Sequence, residues 1–360
     1  MSKTRIFYLD ELRALAIIGI IFCHVSVSFV YSNMGSSLLY ISAFFDCFRD
    51  FSIPIFVMIS GALLLNREDS FKDFFKRRLS RLLIPFFFWV AIYVIYSFVY
   101  IYHGIDWSAA IDIFFGTSGT LGVAFWFIWM IIIAYFAIFL INKAISIGSK
   151  RYENFDNKFI GFLAVLSILY IMIVHFGFFS PYGSKIIYFL SFMSYIIIGY
   201  CLVNFNFLSD KISPYKIALV TLALFLASYF WYIFAYVVPV SMSHGRFIYS
   251  GYFNLLILLI SVSLFLFFKY LSKTGISQNI ENKAIGQVLS IISAYSFGIY
   301  LCHYVVLHRL KVNISKMIVL NNQNPLIWIP ILVFLTLIIS LVILWVLNKI
   351  PYLKKFSGKN

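Results

Sequence analysis

Long apolar blocks recur along the whole of this 360-residue chain and dictate what it can fold into. They run over residues 12–31, 51–66 (a start in the forties is equally compatible), 82–102, 121–142, 159–178, 185–204, 217–238, 251–271, 288–310 and 326–348. A helix needs roughly 20 apolar residues to cross the hydrocarbon of a bilayer, and most of these blocks approach or exceed that length. Barrel strands are shorter and alternate in polarity, which excludes them here. A helix is the remaining element that satisfies every backbone N–H and C=O in lipid. With 62% hydrophobic and only 11% charged residues, the composition also excludes a water-soluble surface. The expectation is an all-α membrane protein of about ten transmembrane helices. The segments between blocks, roughly 15–20 residues at most, are too short for a soluble domain. Residues 1–360 therefore read as one membrane domain.

The chain carries 28 Lys+Arg against 13 Asp+Glu, a net charge of +15. Such an excess suits nucleic acid when it forms one basic face, but here the charges recur between apolar blocks, so no nucleic-acid partner is expected. About ten spans place both termini on one side. With that side cytoplasmic, only Arg49, Lys185, Arg246, Arg309, Lys311 and Lys316 of the 28 basic residues fall outside, leaving 22 inside. Positive residues concentrate in cytoplasmic segments, so both termini are read as cytoplasmic and the protein as a multi-pass protein of the inner (plasma) membrane. Lys3 and Arg5 before an apolar run imitate a signal peptide. That run lacks a small-x-small cleavage site and carries an Arg and a His, so it reads as a retained first helix. Cys23, Cys47, Cys201 and Cys302 show neither a CxxC pair nor metal-ligand spacing. Cys23-His24 and Cys302-His303 are adjacent pairs, and adjacent residues on a helix do not face one point. No metal site is expected.

Polar residues inside a span are costly and usually face a cavity or perform chemistry. The first helix reads Asp10-Glu11-Leu12-Arg13 and then, after ten residues, His24. Eleven helical steps return to within about 20° of the same direction, so Arg13 and His24 share a face roughly 16 Å apart along the axis. This suits an anionic ligand held at the inner mouth by Arg13, with a reactive arm reaching His24, which exchanges protons near neutral pH. The bland alternative is a snorkelling Arg and a core His bonded to a neighbouring helix. In the second span Pro54 invites a kink, and Ser60-Gly61 allows close backbone approach and offers a hydroxyl at depth. Lys76, Arg77, Arg78 and Arg81 precede Pro85 in an inner segment. If that segment is helical, Arg78 and Arg81 share a face that can clamp a phosphate; contact with anionic lipid is the alternative. His303 in the ninth span is a second candidate polar site, whereas His308 reads as an interfacial anchor. Two outer stretches are polar and aromatic enough to meet a sugar: Asp106, Trp107 and Asp112 with Trp126 and Trp129, and the loop with His244 and Arg246. An interfacial aromatic belt has the same composition.

Tyr8 through Arg13 and on to His24, Pro54 through Leu65, Arg77 through Pro85, and Ser296 through His303 together resemble integral-membrane acyltransferases of the acyltransferase-3 family. That group includes bacterial O-acetyltransferases of surface polysaccharides, and Arg-x10-His in the first helix is its signature. The resemblance spans almost the whole chain. It implies transfer of an acyl group, commonly acetyl, from cytoplasmic acyl-CoA to a hydroxyl of a glycan or lipid-linked saccharide at the outer face. It makes Arg13 and His24 the essential pair, Arg78 and Arg81 (with Arg77) the donor-side residues, and Ser60-Gly61 a small-residue motif beside the site. Acyl-CoA is then a donor substrate rather than a resident cofactor, and the partners are the donor, the saccharide acceptor and membrane lipids. Two positions depart from the family pattern: Ala14 replaces the usual Gly after Asp-x-Leu-Arg, and Ala124 stands where a His usually precedes the Trp of the fourth helix, here Trp126. Two rival readings stay open at this level. One is a transporter or flippase of a saccharide or small solute, in which the same Arg and His bind substrate and proton. The other is N-acylation of an amino sugar or peptide.

Overall fold

The computed structural model describes residues 6–68, 70–117, 119, 121–205, 212–239, 251–317 and 324–359. Lys3, Arg5, Lys211, His244 and Arg246 lie outside the described residues. Helices make up 84% of the structure, and no strand occurs among the described residues. In chain order they are α1 (Phe7–Ser32), α2 (Leu38–Asp46), α3 (Phe48–Leu64), α4 (Phe71–Tyr100), α5 (Trp107–Phe115), α6 (Trp126–Ser149), α7 (Phe155–His175), α8 (Lys185–Ser191), α9 (Met193–Asn204), α10 (Pro214–Tyr232), α11 (Leu255–Leu271), α12 (Gly275–Glu281), α13 (Ala284–Met317) and α14 (Pro325–Lys349). Among the described residues, nine helical stretches are long and apolar enough to cross a membrane, or ten if α11 and α12, bent by 86° at their junction, form one broken span.

Local chemistry explains several boundaries. Ser70, Asp106, Asn254 and Asn324 each accept a hydrogen bond from a backbone N–H in the first turn of α4, α5, α11 and α14, satisfying a donor the helix leaves open. Pro214 and Pro325 open α10 and α14, where a missing N–H costs nothing. Two boundaries differ from the apolar pattern. The second span is Leu38–Leu64, built from α2 and α3, because Asp46, Arg49 and Asp50 are accommodated inside it. The segment before residue 82 is already helix, since α4 starts at Phe71, so Arg78 and Arg81 do share a helical face.

The chain forms two compact units: residues 1–68 with 137–293, and residues 69–136 with 294–360. In the first unit α3 and α9 pack backbone to backbone. A Cβ on Gly61 would overlap the Ile196 carbonyl, and one on Gly199 would overlap that of Met58. Small residues permit such close approach where lipid supplies no hydrophobic force between helices. Buried Lys269 of α11 donates from Nζ to the carbonyls of Leu202 (2.6 Å), Val203 (3.3 Å) and Phe205 (3.3 Å), capping the end of α9. Asn142 caps α3, donating to Leu64 O at 2.9 Å and accepting from Asn66 N at 2.8 Å. In the second unit Phe86, Phe114, Phe125 and Trp129 form an aromatic cluster, and the Tyr93 hydroxyl accepts from Val305 N at 3.0 Å.

Candidate active site

The first unit holds the Arg13–His24 face. Both residues lie on the unbroken α1 and both are half-buried, so the separation of about 16 Å follows from helix rise. Arg13 is oriented from below: its Nη1 lies 3.5 Å from Asp10 Oδ1, which in turn accepts from Ser293 Oγ at 2.6 Å. Asp10 therefore positions the guanidinium, and Ser293 positions Asp10. Neighbouring Glu11 is 4% exposed, and its Oε2 has no hydrogen-bond partner among the described residues.

An ionic cluster absent from the sequence reading adjoins the upper part of this helix. Arg49 donates from Nε to Asp50 Oδ1 at 3.2 Å and from Nη1 to the Cys23 sulfur at 3.6 Å, and its Nη2 lies 3.9 Å from Asp46 Oδ2. Ser26 donates to Asp46 Oδ1 at 3.2 Å and Tyr232 to Asp50 Oδ2 at 3.0 Å. Asp46 and Asp50 are 3% and 6% exposed, so these charges survive in a low-dielectric span only because each has partners. Cys23 and Ser26 belong to α1, one residue before and two after His24, so the cluster grips the turn of α1 that carries His24 from other sides of the helix. The signal for it in the sequence is Asp46-x-x-Arg49-Asp50, three charges within five residues of an aromatic run.

The remaining candidates sort clearly. Ser60 donates to Phe56 O at 3.0 Å, so its hydroxyl is occupied by its own helix, while Gly61 is the contact point with α9. Trp126, Arg77, Arg78, Arg81 and His303 all belong to the second unit. Arg77 donates from Nε to Asp73 O at 3.1 Å; Arg77 and Arg81 are exposed and Arg78 is half-buried. These three arginines lie near the start of α4 together with Lys72 and Lys76. Trp126 is half-buried at the start of α6, edge-on to Phe127 at 6.1 Å. Ala124 receives a hydrogen bond at its carbonyl from the Tyr300 hydroxyl. His303 is fully buried, with Nδ1 against its own helix, 2.7 Å from Tyr300 O and 3.1 Å from Ile299 O. His308 Nδ1 meets the Tyr96 hydroxyl at 3.0 Å and Arg309 covers the Tyr100 ring at 4.7 Å, a tyrosine-lined anchor. All four cysteines are free and buried.

The model of the acyltransferase-3 family, described as an acyltransferase domain, matches residues 6–345 of the chain. No curated protein and no solved structure matches it significantly.

Proposed function

Because the chain belongs to the acyltransferase-3 family and is a multi-pass membrane acyltransferase, we propose that it moves an acyl group, acetyl first among the candidates, from cytoplasmic acyl-CoA to a hydroxyl of a cell-surface glycan or glycolipid. The observation that carries this reading is the single face of α1 that presents Arg13, held by Asp10, and His24 about 16 Å further along the helix. Arg13 offers a cationic contact for the donor, and the arginines of α4 are proposed for its phosphates. His24 removes the proton from the acceptor hydroxyl as its oxygen attacks the thioester carbonyl. The C–S bond breaks, and the departing CoA thiolate takes the proton from the imidazolium. The buried, charge-balanced cluster around Arg49 holds the part of α1 that carries His24.

The test is transfer from radiolabelled acetyl-CoA in inverted inner-membrane vesicles, comparing the intact protein with His24→Ala and Arg13→Ala. Label on glycan or glycolipid with the intact protein alone supports the reading. Absence of CoA-dependent label with several acyl-CoAs and endogenous acceptors present would refute it and favour a transporter. Withholding acceptor separates two routes: a relay through acyl-His24 leaves labelled protein, and direct transfer leaves none.

A further inference from the structure

Beyond residue 345, where the family match ends, the chain adds a basic segment that folds back onto the second unit. Phe356 stacks on Phe88 of α4, with ring centroids 4.5 Å apart and planes 12° from parallel. Ser357 is fully buried, and its Oγ donates to Lys354 O at 2.8 Å. A Cβ on Gly298 of α13 would overlap the Ser357 carbonyl, and Gly358 turns the chain with φ +62°. Lys359 Nζ sits 5.1 Å from the centre of the Tyr295 ring. The segment is thus docked at three successive residues, while Lys354, Lys355 and Lys359 remain exposed.

The place where it docks gives it a chemical meaning. Phe88 lies seven residues beyond Arg81 and eleven beyond Arg77 on one continuous helix. At 100° per residue both arginines point within about 20° of the direction of Phe88, roughly 10 and 16 Å nearer the helix start. The docked lysines therefore continue the cationic face of α4. Diphosphate and ribose phosphate together carry roughly four negative charges near neutral pH, more than one pair of arginines neutralises. We propose that Lys354, Lys355 and Lys359 extend the strip formed by Arg77, Arg78 and Arg81, and that the composite strip receives the phosphate groups of the acyl-CoA donor. This rests on the donor assignment proposed above.

The experiment uses the full chain in nanodiscs of neutral phosphatidylcholine and, in a second arm, of anionic phosphatidylglycerol. Kinetics are taken with acetyl-CoA and with acetyl-dephospho-CoA, and binding of unacylated CoA is measured directly. Lys354→Gln/Lys355→Gln raises KM for acetyl-CoA about fivefold to tenfold with kcat unchanged, as expected for one or two exposed charge-assisted contacts. The rise is smaller with acetyl-dephospho-CoA. Phe356→Ala, which undocks the segment with its lysines intact, gives the same pattern, and Lys150→Gln, an exposed lysine of the first unit, changes neither constant. An unchanged KM and CoA affinity in both lipids overturns the proposal. So does an effect confined to anionic nanodiscs, which assigns the strip to lipid headgroups. Lysine-dependent CoA binding without any transfer sustains this proposal and refutes the enzymatic reading; absence of both binding and transfer refutes the two together.

Discussion

Arg49→Met tests the ionic cluster that grips the turn of α1 carrying His24. The guanidinium stands 3.2 Å from one Asp50 oxygen and 3.9 Å from one Asp46 oxygen. At an effective dielectric constant near 20, attractions at such distances are about 4–5 kcal/mol each, set against a desolvation cost of several kcal/mol per buried ion. Removing the cation keeps that cost and deletes the compensation, leaving two like charges on α2 and α3 whose other partners, Ser26 and Tyr232, are neutral. The expected loss is about 3–5 kcal/mol, on the order of 10 °C in the melting temperature of a chain this large. The assay is thermal unfolding of detergent-purified protein followed by size-exclusion chromatography. The triple variant Arg49→Met/Asp46→Asn/Asp50→Asn removes all three charges, and its amide oxygens still accept from Ser26 and Tyr232. It recovers most of the lost stability. Acyl transfer per folded molecule recovers with it if the cluster serves to hold α1. A single variant melting within about 2 °C of the wild type, or a triple variant melting no higher than the single, would refute the reasoning.

Gly61→Ala and Gly199→Ala each drive a methyl into the backbone of the facing helix and cost about 3 kcal/mol in the same melting assay, with loss of folded yield as the extreme. Ser60→Ala changes stability by less than about 1 kcal/mol, since its hydroxyl bonds only back to Phe56 O among the contacts described. Lys269→Met leaves the end of α9 without its donor and lowers stability by about 1–3 kcal/mol. His303→Gln keeps transfer within about threefold of wild type, because the ring is fully buried against its own helix. A hundredfold loss at normal melting temperature would instead give His303 a part in the chemistry.

The helix inventory was legible because in lipid the length of an apolar run is itself a structural constraint. The shared face of Arg13 and His24 was legible for a related reason: it depends on helix periodicity alone. Close packing at Gly61 was half legible. A small residue announces that something approaches, but Ile196 as the partner is 135 positions away and comes only with the fold. The sequence places the start of the second span at residue 51 or in the forties rather than at Leu38, because Asp46, Arg49 and Asp50 look like a polar break, and their mutual neutralisation, with Cys23, Ser26 and Tyr232 adding hydrogen bonds, exists only in three dimensions. The docking of Phe356 on Phe88 was hidden for the same reason. A polar residue in a span thus signals a special role, but which role depends on its partners. Asp46, Arg49 and Asp50 satisfy one another deep in the first unit and read as a support. The cations of α4 and of residues 354–359 instead lie at or near the surface of the second unit, where an anion can reach them, and this contrast underlies the proposed assignment of the donor's phosphates to them and of proton transfer to α1.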